Sequence, residues 1–448
     1  VGMMLMGVVD SIMVGRLSAA ALAGVALGNV YFFAGAIFGS GALLALDPVV
    51  AQAVGARDDM AITRALQRGF VLAVLLAVPS SLLLMSVRPA LALLGQPSEV
   101  IPIAAGYVWR EIPGVVPFLA FTVLRQTLQA MGRMRSIVAA IVLANLLNVG
   151  LNWVLIYGHW GAPPMGAFGS AWSSTISRWG MVAVLAALAW PDVRSHLLPV
   201  DRAALAWRPL GRMLALGAPI GAQMQLEFGV FGAIGLLMGR LGTVPVAAHQ
   251  IALNLASLTF MVPLGISAAA AVLVGRAVGR EDAAGARRAA RASLATGVGF
   301  MSITAAVLLS VPALLARVYS TEPEVVALAA SLLPIAGVFQ VFDGIQVVSI
   351  GALRGLGDTR APFVMNLLGF WLLGLPASLL LAFRAGLGAR GLWWGLVVGL
   401  AVVGLGLLYR LRGQLRRAVA RVRVDRPEDG LSSSLPSGDS RRAAAFRD

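Results

Sequence analysis

The sequence predicts an all-α polytopic membrane protein, with about twelve transmembrane helices in two pseudo-symmetric six-helix bundles around a central cavity. Two observations lead there. The chain is 59% hydrophobic and only 12% charged, with a mean hydropathy of +0.85, whereas soluble domains carry about a quarter charged residues. The chain also repeats itself. Gly15-Arg16-Leu17 recurs as Gly239-Arg240-Leu241 and Ala53-Val54-Gly55 as Ala277-Val278-Gly279, both 224 residues on (239 − 15 and 277 − 53). Weaker echoes link Leu128–Arg135 with Leu353–Arg360, and Gly166-Ala167 before Trp172 with Gly388-Ala389 before Trp394. A duplication of that size in so apolar a chain points to two equivalent bundles. The short alternating segments of a membrane β-barrel are absent.

The apolar runs place the spans in order. A first helix ends near Val14. Then come Ala21–Val50, Leu66–Val87, Ile101–Gln129, Ser136–Tyr157 and Gly166–Trp190. After a polar stretch follow Met213–Met238, Val246–Val274, Ala292–Val318, Val325–Arg354, Ala361–Phe383 and Gly388–Leu411. Val1–Val14 is shorter than the roughly twenty residues a span needs, so the beginning of helix 1 is expected to be missing. The resulting organisation is a first lobe over 1–190, a linker over 191–212, a second lobe over 213–411 and an arginine-rich, disordered tail over 412–448. Six spans per lobe is even, so both lobes enter the membrane from the same side and the repeat is parallel.

Every basic residue is arginine, and the net charge is +15. The arginines lie between apolar runs and in the tail, which argues against nucleic acid as a partner and for membrane lipid. Alternate loops carry them unequally. Arg57, Arg64, Arg68, Arg133, Arg135, the linker, Arg276, Arg280, Arg287, Arg288, Arg291, Arg354 and Arg360 share one side with the tail, which the positive-inside rule makes cytoplasmic. There is no cysteine, which excludes disulfides and thiolate metal sites. The three histidines are scattered, nothing resembles a phosphate-binding Walker loop, and no cofactor is expected.

Acids at membrane depth cost about 2.5–3.5 kcal/mol on insertion scales, and three interrupt apolar spans: Asp10 in helix 1, Glu227 in helix 7 and Asp343 in helix 10. Each either pairs with a buried donor to fix packing or lines a wet cavity where it exchanges one cation for another. Asn148 and Asn152 lie four apart on one face of helix 5, with Asn145 a turn earlier. They could serve Asp10 or equally act as interhelical packing glue. Asp47, before Pro48, sits near the end of helix 2, where a charged head is expected to reach the interface. Arg178 falls inside a span with no evident partner.

Several of these segments resemble the multidrug and toxic compound extrusion (MATE) family, in its bacterial NorM-like branch. They are Asp10-Ser-Ile-Met-Val-Gly-Arg16, Asn148-Val-Gly-Leu-Asn152-Trp153 with Tyr157-Gly158, Ala247-Ala-His-Gln-Ile-Ala-Leu-Asn254, Gln340-Val-Phe-Asp343 and Leu353-Arg354-Gly355. The similarity runs from the first residue to about Leu411. It implies two six-helix lobes about a V-shaped cavity, in a multi-pass protein of the bacterial inner membrane acting as a monomer. It implies antiport of small organic cations against sodium ions or protons, and no enzymatic activity. By position, Asp10, Asn148 and Asn152 match the polar cluster of the first lobe, and Glu227 and Asp343 match the acids of the second, where a sodium ion could bind. Gln250, Asn254, Phe339 and Gln340 are expected along the cavity. Two departures stand out. Phe339 replaces a tyrosine found a turn before the helix 10 acid in some sodium sites, and Asp47 replaces a small or hydroxyl residue. The rival reading, a flippase for lipid-linked sugars, would favour an arginine-rich cavity over acids.

Overall fold

The computed structural model describes residues 2–417 and 420–425, with side chains from Met6 onward. Every regular element among them is helical. We number the long helices α1 (Gly2–Gly15), α2 (Ala19–Ala56), α3 (Asp59–Met85), α4 (Ile101–Met131), α5 (Met134–Tyr157) and α6 (Ala167–Leu197). The second set is α7 (Trp207–Leu241), α8 (Thr243–Gly279), α9 (Ala283–Ser310), α10 (Pro323–Gly355), α11 (Arg360–Arg384) and α12 (Gly388–Arg416). Ten of these are long and apolar enough to cross a membrane. The other two are α1, which has 14 residues, and α6, which carries Ser173, Ser174, Thr175, Ser177 and Arg178 on its buried side.

The repeat is visible in the helix starts. Ala19 and Thr243 open α2 and α8, and Asp59 and Ala283 open α3 and α9, at the same 224-residue step (243 − 19 and 283 − 59). The caps repeat too: Asp58 accepts from the Ala61 amide and Asp282 from the Gly285 amide. Each satisfies a donor that the first turn leaves unpaired. Inside α2 the helix breaks between Leu43 and Leu46, one turn before Pro48. A proline there has no N–H to donate and crowds the carbonyl four residues back.

Among the described residues two large apolar cores result, one running from Met6 to Met213 and the other from Val230 to Leu415, with a small third cluster at Ala270, Val347 and Val348. The lobes meet where α2 crosses α7 and α8. Small residues allow the approach. A Cβ on Gly41 would lie 2.7 Å from the Gly221 Cα. One on Gly55 would run into the Arg276 carbonyl, and one on Gly279 into the Gln52 carbonyl. The repeated Ala-Val-Gly triplets are therefore the two faces of a single close crossing, as small residues favour in membrane helix pairs.

Several boundaries differ from the expectations. The polar stretch 191–212 is mostly helical: α6 continues through Pro191 to Leu197 and α7 begins at Trp207. Polarity marks where α6 leaves the apolar layer, not where it ends. Its last turn packs on α3, with His196 Nδ1 2.9 Å from the Thr63 hydroxyl and the Gln67 amide donating to the His196 and Pro199 carbonyls. The single span expected over Ala292–Val318 is instead α9 followed by a short helix, Pro312–Tyr319. The expected disordered tail begins as the last turn of α12, and residues 420–425 pack against both lobes. Asp425 accepts from Arg68 at 2.6 Å, Arg421 pairs with Asp58 at 2.8 Å, and Arg212 of α7 donates to the Val424 carbonyl. Val424 joins the core of the first lobe. The rest of the expected tail, 426–448, lies outside the described residues.

Candidate functional site

In the first lobe Asp10 is 1% exposed, on α1 where α4, α5 and α6 converge. Asn152 Nδ2 donates to its Oδ1 at 2.6 Å and Asn148 Nδ2 at 3.4 Å, while the Ser174 hydroxyl donates to Oδ2 at 2.6 Å. The Tyr107 hydroxyl stands 3.5 Å from the same Oδ2. The four-residue spacing of the asparagines does place both amides on one face, and Asn152 also donates to Asn148 Oδ1 at 3.3 Å. Asn145, a turn earlier, donates to the Ile141 carbonyl of its own helix. Asp10 is thus held by neutral donors, which hydrogen-bond a carboxylate without cancelling its charge.

This carboxylate lies on the wall of a cavity of about 400 Å³, with Asn29, Ser174, Arg178, Phe33, Phe118 and Met181 among its lining. Mixed aromatic, thioether and acidic walls suit an amphipathic cation. Arg178 has a partner that the sequence did not reveal: its Nη2 donates to Glu111 Oε1 at 2.9 Å, with Glu111 fully buried. Its guanidinium also lies 4.0 Å over the Phe32 ring. That pair leaves Arg178 Nη1 and Glu111 Oε2 without a hydrogen-bond partner.

The second lobe brings Glu227 of α7 and Asp343 of α10 close enough for their charges to interact. Gln223, one turn before Glu227, is buried, and its Oε1 has no hydrogen-bond partner. Among the described residues neither acid forms an ion pair with a basic side chain. Two of the expected wall residues are elsewhere. Phe339 is 4% exposed and meets Phe231 and Trp393 edge-on, with ring centroids 6.1 and 5.8 Å away. Gln340 is fully buried and bridges the lobe's helices, donating to Thr259 at 2.5 Å and accepting from Thr304 at 2.6 Å. Both side chains point into a crowded lobe, not onto a cavity wall. Gln250 and Asn254, four apart on α8, are exposed.

Asp47 is also not where its position suggested. It is 1% exposed, accepts from Gln126 at 2.5 Å, and pairs with Arg354 of the other lobe at 3.0 Å. Its carboxylate is enclosed between Gln126 of α4 and Arg354 of α10 and does not reach the interface. Two more bonds cross there: Gln52 donates to the Gly355 carbonyl at 2.9 Å, and Arg276 to the Ala130 carbonyl at 2.6 Å. Glutamine and arginine occupy equivalent positions of the repeat, 224 residues apart (276 − 52), so each lobe reaches for a backbone oxygen of the other.

Comparison with known proteins gives a consistent picture. The family model described as MatE matches residues 1–154 and 219–380. A probable multidrug resistance protein NorM of Rhizobium meliloti is 37% identical over 422 residues, 92% of this chain and 90% of its own length. The multidrug resistance protein NorM of Burkholderia vietnamiensis is 38% identical, over 94% of this chain and 92% of its own. Among solved structures, the eukaryotic MATE transporter AtDTX14 superposes with a TM-score of 0.85 at 24% identity, covering 95% of both chains. The Vibrio cholerae MATE transporter VcmN in its bent form gives 0.81 at 21% identity, covering 93% of both. At those identities the structures speak for the fold alone.

Proposed function

Because the chain belongs to the MatE family of multi-pass membrane transporters, which are not enzymes, we propose that it exports amphipathic organic cations by antiport against inward protons or sodium ions. The observation that carries this reading is Asp10: a carboxylate 1% exposed, on the wall of a cavity of about 400 Å³, held by neutral donors. Buried acids are rare in membrane helices because they are costly, and those that persist mark ion and substrate pathways. A carboxylate in that setting favours an arriving cation strongly, and it cannot hold the coupling ion and a cationic drug equally well at once.

Entry of the coupling ion from outside neutralises the acid and releases the drug; its departure on the other side restores the site. The membrane potential adds about 2.3 kcal/mol per charge per 100 mV to the inward step. Glu227 and Asp343 form the second such station. The arginine-rich end of the helices, where the lobes meet, faces the cytoplasm of a bacterial inner membrane, and a single chain suffices for the cycle.

Ethidium efflux from proteoliposomes under separately imposed proton and sodium gradients tests the proposal, comparing the chain with Asp10→Asn, Glu227→Gln and Asp343→Asn. Efflux that follows one gradient and is lost in the variants identifies the ion and the acids. Well-folded protein that moves no cationic dye under either gradient refutes the antiporter and favours a flippase for an amphiphile such as a lipid-linked sugar. Efflux surviving all three substitutions assigns the coupling to the wrong residues.

A further inference from the structure

At the arginine-rich end of the second lobe, a cavity of about 610 Å³ opens between the start of α7, the turn from α10 into α11, the last turns of α12 and residues 422–424. Among the described residues four arginines line it, Arg212, Arg360, Arg410 and Arg423, against one acid, Asp358. The acid is already engaged. It accepts from Arg410 at 2.8 Å and from Gln414 at 3.0 Å, and its other oxygen caps the Ala361 amide. Among the described residues neither Arg360 nor Arg423 forms an ion pair, and both are exposed. The cavity therefore carries surplus positive charge on side chains whose forked donors fit phosphate oxygens.

Its other wall is apolar. Leu216 of α7 and Val364 and Met365 of α11 line it, and Val364 is 43% exposed. These residues lie within the first turns of the spans α7 and α11, so the cavity is basic at the helix ends and apolar further along the spans. A free phosphate would use only the arginines. We propose that this cavity binds an anionic phospholipid, its phosphodiester on Arg360 and Arg423 and the start of its acyl chains along Leu216, Val364 and Met365. Basic pockets between membrane helices recognise acidic headgroups in this way. The inference stands apart from the antiport reading, since it uses none of the buried acids.

Native mass spectrometry of the full chain, released from phosphatidylcholine nanodiscs prepared with and without phosphatidylglycerol, tests it. The chain should retain phosphatidylglycerol in preference to phosphatidylcholine. Each arginine near a headgroup contributes roughly fivefold in affinity, so Arg360→Gln with Arg423→Gln should lower retention about 25-fold. Asp358→Asn removes the one acid among the described lining residues and should raise retention, a direction that damage to the fold would not produce. Arg317→Gln, on an exposed residue of the short helix at the opposite end, should change nothing. Equal retention by the chain and the double variant would overturn the proposal. So would displacement of the lipid by inorganic phosphate where chloride at the same ionic strength fails, since that would make free phosphate the ligand.

Discussion

Replacing Asp47 by asparagine keeps the shape of a side chain that joins the two lobes and removes its charge. Arg354, 3.0 Å from the carboxylate and 14% exposed, then loses its counter-charge, and Gln126 loses a charged acceptor. Breaking a buried pair by deleting one partner costs about 3–5 kcal/mol. Some water reaches Arg354, so a figure of about 2–3 kcal/mol is appropriate, roughly 30- to 150-fold in an equilibrium. The pair exists only while the lobes meet at this end, so the cost falls on that arrangement alone. A separated state populated about once in a hundred would rise to about one in four at the lower figure. The chain has no cysteine, so Met134→Cys on the first lobe and Arg288→Cys on the second take spin labels cleanly. Electron–electron resonance should then show a longer-distance population appearing with Asp47→Asn and with Arg354→Gln. The double variant should cost less than the sum of the singles, because the two residues share one interaction. An unchanged distance distribution, or strict additivity, would refute the reasoning.

Three further outcomes follow from the packing. Glu111→Gln leaves Arg178 charged and uncompensated beside the first-lobe cavity, and should destabilise the detergent-solubilised protein by about 3–5 kcal/mol in thermal unfolding. Gln340→Leu strips the Thr259 and Thr304 hydroxyls of their cross-helix partner, but both also bond backbone carbonyls; about 1–2 kcal/mol of stability should be lost. Asp201, outside the membrane, accepts from Arg64 at 2.7 Å, and that hydrogen bond holds its carboxyl below the usual 3.8. A depressed folded value means the pair stabilises fully above 3.8 and fades as pH falls through the lower folded value. Asp201→Asn should therefore lower the melting temperature at neutral pH by an amount equivalent to about 0.2–1 kcal/mol. The difference should close in acid.

The helical bundle and its duplication were legible because both rest on local signals, apolar runs and a fixed spacing. The Asp10 cluster was legible for a similar reason: the acid is conspicuous in an apolar run, and Asn148 and Asn152 share a helix face whatever the tertiary fold. Ser174 and Tyr107 carry no such mark, since hydroxyls are unremarkable in membrane helices. Glu111 was missed although it lies inside the expected span Ile101–Gln129, because its partner is 67 residues away in the chain and no local pattern pairs the two. Asp47 was misplaced because Arg354 lies 307 residues further on, and no local pattern reports a contact between lobes. Phe339 and Gln340 show the remaining gap. A helix packed on every side has no apolar stripe to fix its rotation, so sequence gives the span without saying which residues face the cavity.

The strap formed by residues 421–425 bears on how the molecule is made. Its partners, Gln52, Asp58 and Arg68, lie in or next to α2 and α3, which are made long before it, and it is the last described piece to emerge. Every other span must be inserted before those partners can be satisfied. Through synthesis the first lobe therefore carries an incomplete seam, with Arg68 awaiting the Asp425 carboxylate. Insertion of the helices and closure of the seam are thus separate events in biogenesis, and a ribosome stalled short of codon 425 would hold a chain that spans the membrane with its lobes not yet strapped together.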